Sequence, residues 1–368
     1  MSGPLAILAA GGTGGHLFPA EAVAHRLLER GWRVTLATDD RGLRYATGFP
    51  EAVRRLELRS ATLARGGLTA RLALPVTLAR GIGAALLAFR RDTPAIVAGF
   101  GGYPSIPALA AATLMGLPRL IHEQNGTLGR VNRAFASRVN RVACGSWPLR
   151  DPPRRAALQP VGNPVRAPVR EAARIPYAMP GDGPLSLLIF GGSQGAHALA
   201  RLMPETVALL PEPVRRRLAV THQIRPEDMD EAVAAYRAAE IPEPAVAPFF
   251  DDLPERIARA HLVVARAGAM TIAELETIGR PSILVPLPSA MDDHQTANAR
   301  PLAEAGAAIL APEADTDAGA MAGHLRAVLL EPWTARAMAA AAHARARPDA
   351  DRTLADLLEE LAGPGARP

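Results

Sequence analysis

The chain has 368 residues, 49% of them hydrophobic and 21% charged, with a formal net charge of +5. That length exceeds what one core supports and predicts two domains. The single cysteine, Cys144, excludes an internal disulfide framework and fits a reducing compartment. Aromatic residues are only 4% and no nucleic-acid-binding signature is present, so nucleic acid is not expected as a partner.

The amino terminus, MSGPLAILAAGG, carries no basic leader, and its apolar run is too short for a signal peptide or a membrane span. A cytosolic protein is expected. LAILAA (5–10) reads as a strand ending in a glycine loop, FPAEAVAHRLLERG (18–31) as a helix closed by glycine, and WRVTLAT (32–38) as a second strand. PAIVAGF (94–100), PRLIHEQ (118–124) and RVACG (141–145) continue the alternation, with helices between them. This rhythm predicts a parallel sheet covered by helices. It stops at the proline-rich stretch 151–176, which reads as an interdomain linker. A second series then begins with PLSLLIF (184–190) and runs through RLAVTH, PAVAPFF, HLVVARAG, PSILVPLP and AAILAP; residues 331–362 read as two helices.

The two series start alike. Gly11 and Gly12 recur as Gly191 and Gly192, each pair after an apolar strand and before a helix. Two such turns predict twin Rossmann-like domains. The spacing is not that of a dinucleotide loop, because Leu17 stands where the third glycine belongs, and no Gly-Lys-Ser/Thr of a P-loop follows. What remains is a glycine turn into a helix, whose free N–H groups and positive dipole end suit an anion. His16 stands at the exit of the first turn, at the carboxyl end of the first strand. A neutral imidazole there can take a proton from an attacking hydroxyl; a purely structural histidine is the plainer alternative. The triplets Asp315-Thr316-Asp317 and Asp349-Ala350-Asp351 read as turns and helix caps, and no protein-bound metal is expected.

Charge is unevenly spread. Residues 1–150 hold 19 arginines and 8 acids, net +11, whereas residues 151–368 hold 22 arginines and 28 acids, net −6. From Leu58 to Arg91 there are six arginines (59, 65, 71, 80, 90 and 91) and no acid. Mixed with long apolar runs, they read either as a core helix with a solvated face or as a patch for an anionic membrane surface.

GGTGGHLFPA (11–20), GFGGYPSIPA (99–108), IHEQNGTLGRVNR (121–133), VGNPVR (161–166), FGGSQGA (190–196), ARAGAMTIAE (265–274) and DDHQTANA (292–299) occur in one order in one chain. Together, over residues 5–306, they closely resemble the MurG family, bacterial transferases that move N-acetylglucosamine (GlcNAc) from UDP-GlcNAc to the 4-hydroxyl of the N-acetylmuramyl (MurNAc) unit of lipid I, giving lipid II. The resemblance implies the GT-B fold: two Rossmann-like parallel-sheet domains with the active site in the cleft between them. It places an acceptor and membrane-side domain at 1–163 plus 343–368 and a UDP-GlcNAc domain at 164–342.

Position by position, the resemblance implies that Thr13, Gly14, Gly15 and His16 form the first loop, with His16 the candidate base. Asn125 contacts donor sugar or acceptor. Arg166 and Ser193 hold the donor diphosphate. Phe250 reads the uracil edge with its backbone. Ala269, Met270, Thr271, Ile272, Ala273 and Glu274 line the nucleotide, with the Glu274 carboxylate on the ribose diol. Gln295 reads GlcNAc hydroxyls, with Asn298 nearby. Ala267 departs from the family, which often has serine there. No cofactor is implied. The implied partners are UDP-GlcNAc, lipid I, an anionic membrane and cell-wall synthesis proteins, at the cytoplasmic face of the bacterial inner membrane. Alternatives are a UDP-sugar 2-epimerase, a glycolipid synthase acting on diacylglycerol, an NAD(P) oxidoreductase, disfavoured by the missing glycine, and a non-catalytic sugar-nucleotide module. Acceptor-dependent UDP release separates the transferase from the others.

Overall fold

The computed structural model describes residues 3–11, 14–59, 68–191 and 196–366, apart from the side chains of 68–74, 291 and 366. The chain divides into two units, Met1–Arg166 together with Pro348–Pro368, and Ala167–Arg347.

In the first unit, seven strands form one parallel sheet: β1 (Leu5–Ala9), β2 (Arg33–Thr38), β3 (Arg54–Glu57), β4 (Ile96–Gly99), β5 (Arg119–Glu123), β6 (Arg141–Cys144) and β7 (Leu158–Pro160). Their order is β3-β2-β1-β4-β5-β6-β7, so the winding reverses between β1 and β4. Both faces are buried, as a parallel sheet demands. Along β1, Leu5, Ile7 and Ala9 pack on one face with Ala85, Phe89, Leu109 and Ala112, which come from the helices Leu68–Arg91 and Ser105–Leu114. Ala6 and Leu8 pack on the other with Leu17, Val23 and Leu27 of the helix Gly14–Glu29 and with Leu354, Leu357 and Leu358 of the helix Ala350–Ala362.

That last helix is tied to its neighbour by polar contacts as well. Arg26 bridges Asp351 at 3.0 Å, Arg30 bridges Glu359 at 2.9 Å and Asp356 at 2.7 Å, and the Trp32 indole donates to Glu359 at 3.0 Å. Asp351 and Trp32 are almost wholly buried, so two of these bonds act where water screens them little.

The second unit has a six-stranded parallel sheet: β8 (Leu185–Phe190), β9 (Leu218–Gln223), β10 (Ala245–Ala247), β11 (Leu262–Ala265), β12 (Ser282–Leu284) and β13 (Ala308–Leu310). The order is β10-β9-β8-β11-β12-β13, with the reversal between β8 and β11. One core joins Leu185, Leu187 and Ile189 to Val220, Val264, Met203, Tyr236, Met321 and Leu325.

Arg280 is a fully buried cation in this unit. Its guanidinium donates to the carbonyls of Ala258 at 2.8 Å, Ile278 at 2.7 Å, Gly279 at 3.0 Å and Ile175 at 2.8 Å. Ala258 and Ile278 lie in the last turns of the helices Leu253–Arg259 and Ala269–Ile278. A positive charge at two helix carboxyl ends meets orphan carbonyls and the negative dipole ends together. Burial still draws its pKa down to about 10.

Every strand expected from the sequence is present. Two more were not expected. β3 is an edge strand whose residues are mostly exposed, so it carries no apolar signal. β7 lies within the stretch read as a linker, as does the helix Ala167–Ala172; the linker reading of 151–176 is corrected accordingly. Proline is tolerated in β7 because the strand pairs only with β6 and stands at the sheet edge. One carboxylate of each Asp-x-Asp triplet has a structural partner: Asp317 caps the helix Ala318–Leu329 by accepting from the Ala320 N–H at 2.8 Å, and Asp351 pairs with Arg26. Among the described residues, no helix is long and apolar enough to cross a membrane.

Candidate active site

Open α/β sheets bind ligands at the carboxyl ends of the strands where the winding reverses. In the first unit that point is flanked by the turns after β1 and β4, with the turn after β5 beside them. His16 follows β1, in the first turn of the helix Gly14–Glu29, which also contains Gly14 and Gly15. Thr13 lies outside the described residues. Gly101 and Gly102 follow β4 with φ of +93° and +77°. A Cβ on Gly101 would stand 3.0 Å from the His16 ring, and one on Gly102 would stand 2.6 Å from the Gly11 carbonyl oxygen. Glycine is required at both on conformation and on space, and the room it leaves is filled by the imidazole. His16 Nδ1 lies 3.1 Å from the Gln124 side-chain oxygen.

Gln124 belongs to the HEQN turn after β5. The neighbouring Glu123, 1% exposed, organises this turn. One carboxylate oxygen accepts from the Asn125 backbone N–H at 3.1 Å and the Asn125 amide at 3.0 Å; the other accepts from the Gly129 N–H and the Asn132 amide, both at 2.9 Å. Asn125 is therefore held by its own backbone and side chain at the rim of the same strand ends as His16. Asn163 closes the turn from the other side by donating to the Gln124 carbonyl at 3.0 Å. His122 is wholly buried and lies 3.0 Å from the Gly162 carbonyl. Burial lowers its pKa to about 4 and keeps it neutral near pH 7.

Arg166 also belongs to this unit. Its guanidinium lies 4.1 Å from the centre of the Phe18 ring, a cation–π distance. Glu21, one helical turn beyond Phe18, has its pKa raised by burial, with Arg166 and His25 opposing the shift.

In the second unit, the helix Ala269–Ile278 starts at the winding reversal, directly after β11 and Gly268. Its first residues, Ala269, Met270 and Thr271, are partly exposed, and Ile272, Ala273 and Glu274 are buried. The Gln295 side-chain oxygen accepts from the Ala267 N–H at 3.1 Å and the Leu287 N–H at 2.9 Å, so it fastens the turns after β11 and β12 together. Asn298 is buried and donates to the Ala267 carbonyl at 3.0 Å. Phe250 has the Arg256 guanidinium 4.3 Å from its ring centre. Ser193 lies outside the described residues.

The sequence reading missed three side chains that shape these turns: Glu123, Gln124 and Arg266. The first two stand inside the HEQN motif, and their position there was the available signal. Arg266 is buried, donates to the Val285 and Pro286 carbonyls at 3.2 Å and pairs with Glu313 at 2.5 Å; its partners are remote in sequence, so no local pattern marks it.

Two parallel-sheet α/β units are the architecture of the GT-B class of glycosyltransferases. The chain matches the glycosyltransferase family 28 N-terminal domain over residues 6–144 and the glycosyltransferase family 28 C-terminal domain over residues 186–354. It is 49% identical over 361 residues, 97% of this chain and 99% of the relative, to the UDP-N-acetylglucosamine--N-acetylmuramyl-(pentapeptide) pyrophosphoryl-undecaprenol N-acetylglucosamine transferase of Caulobacter vibrioides. A Methylobacterium sp. protein of the same name is 50% identical over 362 residues, 98% of this chain and 97% of the relative. The crystal structure of Acinetobacter baumannii MurG superposes with a TM-score of 0.78 at 30% identity, covering 97% of this chain and 99% of that one. The chain belongs to the MurG family within glycosyltransferase family 28.

Proposed function

We propose that this chain transfers GlcNAc from UDP-GlcNAc to the 4-hydroxyl of the MurNAc unit of undecaprenyl-pyrophosphoryl-MurNAc-pentapeptide, lipid I, and gives lipid II for peptidoglycan synthesis, on which cell shape and division depend. The observation that carries the reading is the near-full-length identity to relatives bearing that activity in their names. His16 at the strand ends of the first unit supports it.

The acceptor oxygen attacks the anomeric carbon as His16 takes its proton; the bond from that carbon to the diphosphate oxygen breaks, and UDP departs with the electron pair. One displacement inverts the centre. Negative charge grows on the diphosphate, where Arg166, Ser193, the turn of Thr13, Gly14 and Gly15, and the amino-terminal end of the helix Ala269–Ile278 oppose it. Glu274 accepts from the ribose hydroxyls and the Phe250 backbone reads uracil. The Gln295 NH₂ group donates to a GlcNAc hydroxyl, and Asn125 orients the reacting sugars. UDP release from UDP-GlcNAc is expected only when a lipid I analogue is present, with a β-linked disaccharide product. Acceptor-independent conversion of the donor would replace the reading with an epimerase, and donor binding without any turnover would replace it with a binding module.

The acceptor's lipid tail brings the enzyme to the cytoplasmic face of the inner membrane as a peripheral protein, in reach of other cell-wall synthesis proteins. The support is the basic stretch 58–91. In it Arg59, Arg80, Arg90 and Arg91 are exposed, as are Val76 and Leu87; Arg65 and the side chain of Arg71 lie outside the described residues. Each arginine near an anionic surface contributes about 1 kcal/mol. Reversing Arg80 and Arg90 to glutamate is therefore expected to weaken partition onto phosphatidylglycerol vesicles roughly tenfold or more, read by sedimentation. Equal partition of variant and wild type would remove this surface from the reading.

A further inference from the structure

We propose that Gln124 and His122 are positioning residues that lock the His16 imidazole in one tautomer, with its proton on Nδ1 and its lone pair on Nε2. The inference rests on the reading of His16 as the base and specifies which of its nitrogens does the work.

The argument runs inward from two backbone carbonyls, which only accept. The Gly162 carbonyl lies 3.0 Å from His122 Nε2, so that nitrogen carries the His122 proton. A neutral His122 then has a lone pair on Nδ1, and burial, which lowers its pKa to about 4, keeps it neutral. The Phe100 carbonyl lies 3.0 Å from one end of the Gln124 amide, so that end is the NH₂. The same NH₂ lies 3.1 Å from His122 Nδ1 and supplies the proton which that lone pair needs. Both anchors agree on the amide orientation. The other end of Gln124 is therefore its oxygen, and this oxygen lies 3.1 Å from His16 Nδ1. An amide oxygen only accepts, so Nδ1 of His16 is the donor.

The consequence is a base set before substrate arrives. The His16 ring lies beside Gly101 and Gly102, whose positive φ and lack of a Cβ leave it its place. Among the described residues, Nε2 has no hydrogen-bond partner, and it is the nitrogen turned away from Gln124. When it takes the acceptor proton, Nδ1 of the imidazolium still donates to Gln124, and the bond strengthens because its donor is now charged. No proton needs to pass along the chain. A histidine free in its tautomer would spend part of its time with the proton on Nε2 and its lone pair on Nδ1, so that Nε2 could not take the acceptor proton.

The direct test is nitrogen NMR of the full chain labelled with ¹⁵N-histidine at a pH where His16 is neutral, with the His16 signals assigned by their loss in His16→Asn. The expected pattern is a protonated Nδ1 and an unprotonated Nε2. The opposite tautomer in the wild type would overturn the proposal without any variant having to fold. In Gln124→Met the two tautomers are expected to mix and kcat to fall roughly tenfold with KM for UDP-GlcNAc unchanged. Gln124→Glu, which keeps the acceptor, is expected to keep the Nδ1–H tautomer. An unaltered tautomer and kcat in Gln124→Met would also overturn the proposal. His16→Ala is the separate control: turnover surviving there sinks the base reading, whereas the tautomer spectrum reports on Gln124 and His122 alone.

Discussion

His16→Ala is expected to lower kcat for GlcNAc transfer by about 10³-fold, the middle of the range for losing a positioned general base. That corresponds to about 4 kcal/mol of transition-state stabilisation. The donor should bind as before, because the groups read as holding UDP belong to other residues, most of them in the second unit. The acceptor hydroxyl is a poor nucleophile until its proton leaves, so the loss should fall on kcat and much less on KM for UDP-GlcNAc. The measurement is UDP release with a lipid I analogue, beside a calorimetric titration with UDP-GlcNAc. Release within a few-fold of wild type would take His16 out of the chemistry. Loss of donor binding in parallel would make it a structural residue of the first turn.

Glu123→Ala is expected to destabilise the first unit by about 3–5 kcal/mol, since buried donors left without an acceptor cost about 1–3 kcal/mol each and water recovers part of it. The carboxylate accepts four hydrogen bonds, two from backbone N–H groups and two from the Asn125 and Asn132 amides. Glutamine is no remedy. Each carboxylate oxygen faces two donors, so whichever end becomes NH₂ meets donors it cannot satisfy. Chemical denaturation should show a lower midpoint for the first unit in both variants, and transfer should fall as Asn125 loses its anchor. A midpoint equal to the wild type in Glu123→Ala would mean that the HEQN turn holds itself.

The strand-to-helix alternation was legible because it is local: β1 and the helix Gly14–Glu29, like β8 and the helix His197–Ala208, follow one another within a dozen residues. The central strands were legible because a parallel sheet buries both faces and leaves continuous apolar runs. β3 was not, because Arg54, Arg55 and Glu57 give an edge strand no such run. β7 was hidden by the prolines around it. In the site, His16 was visible but its partner was not, since Gln124 is 108 residues away and joins it only through the order of β1, β4 and β5. Arg166 on Phe18 and Arg280 on the Ala258 and Ile175 carbonyls were hidden for the same reason: those partners are set by topology rather than by spacing.

The helix Ala350–Ala362 has one more consequence, for the order in which the chain acquires its structure. The first unit is split in two by the second, and Arg26 finds Asp351 across 325 residues. During synthesis domains usually complete themselves from the amino terminus onward. Here the second unit, continuous from Ala167 to Arg347, can close while the first sheet still waits for the helix that covers Leu8 and Leu17. The segment that leaves the ribosome first is thus the last to seal its core.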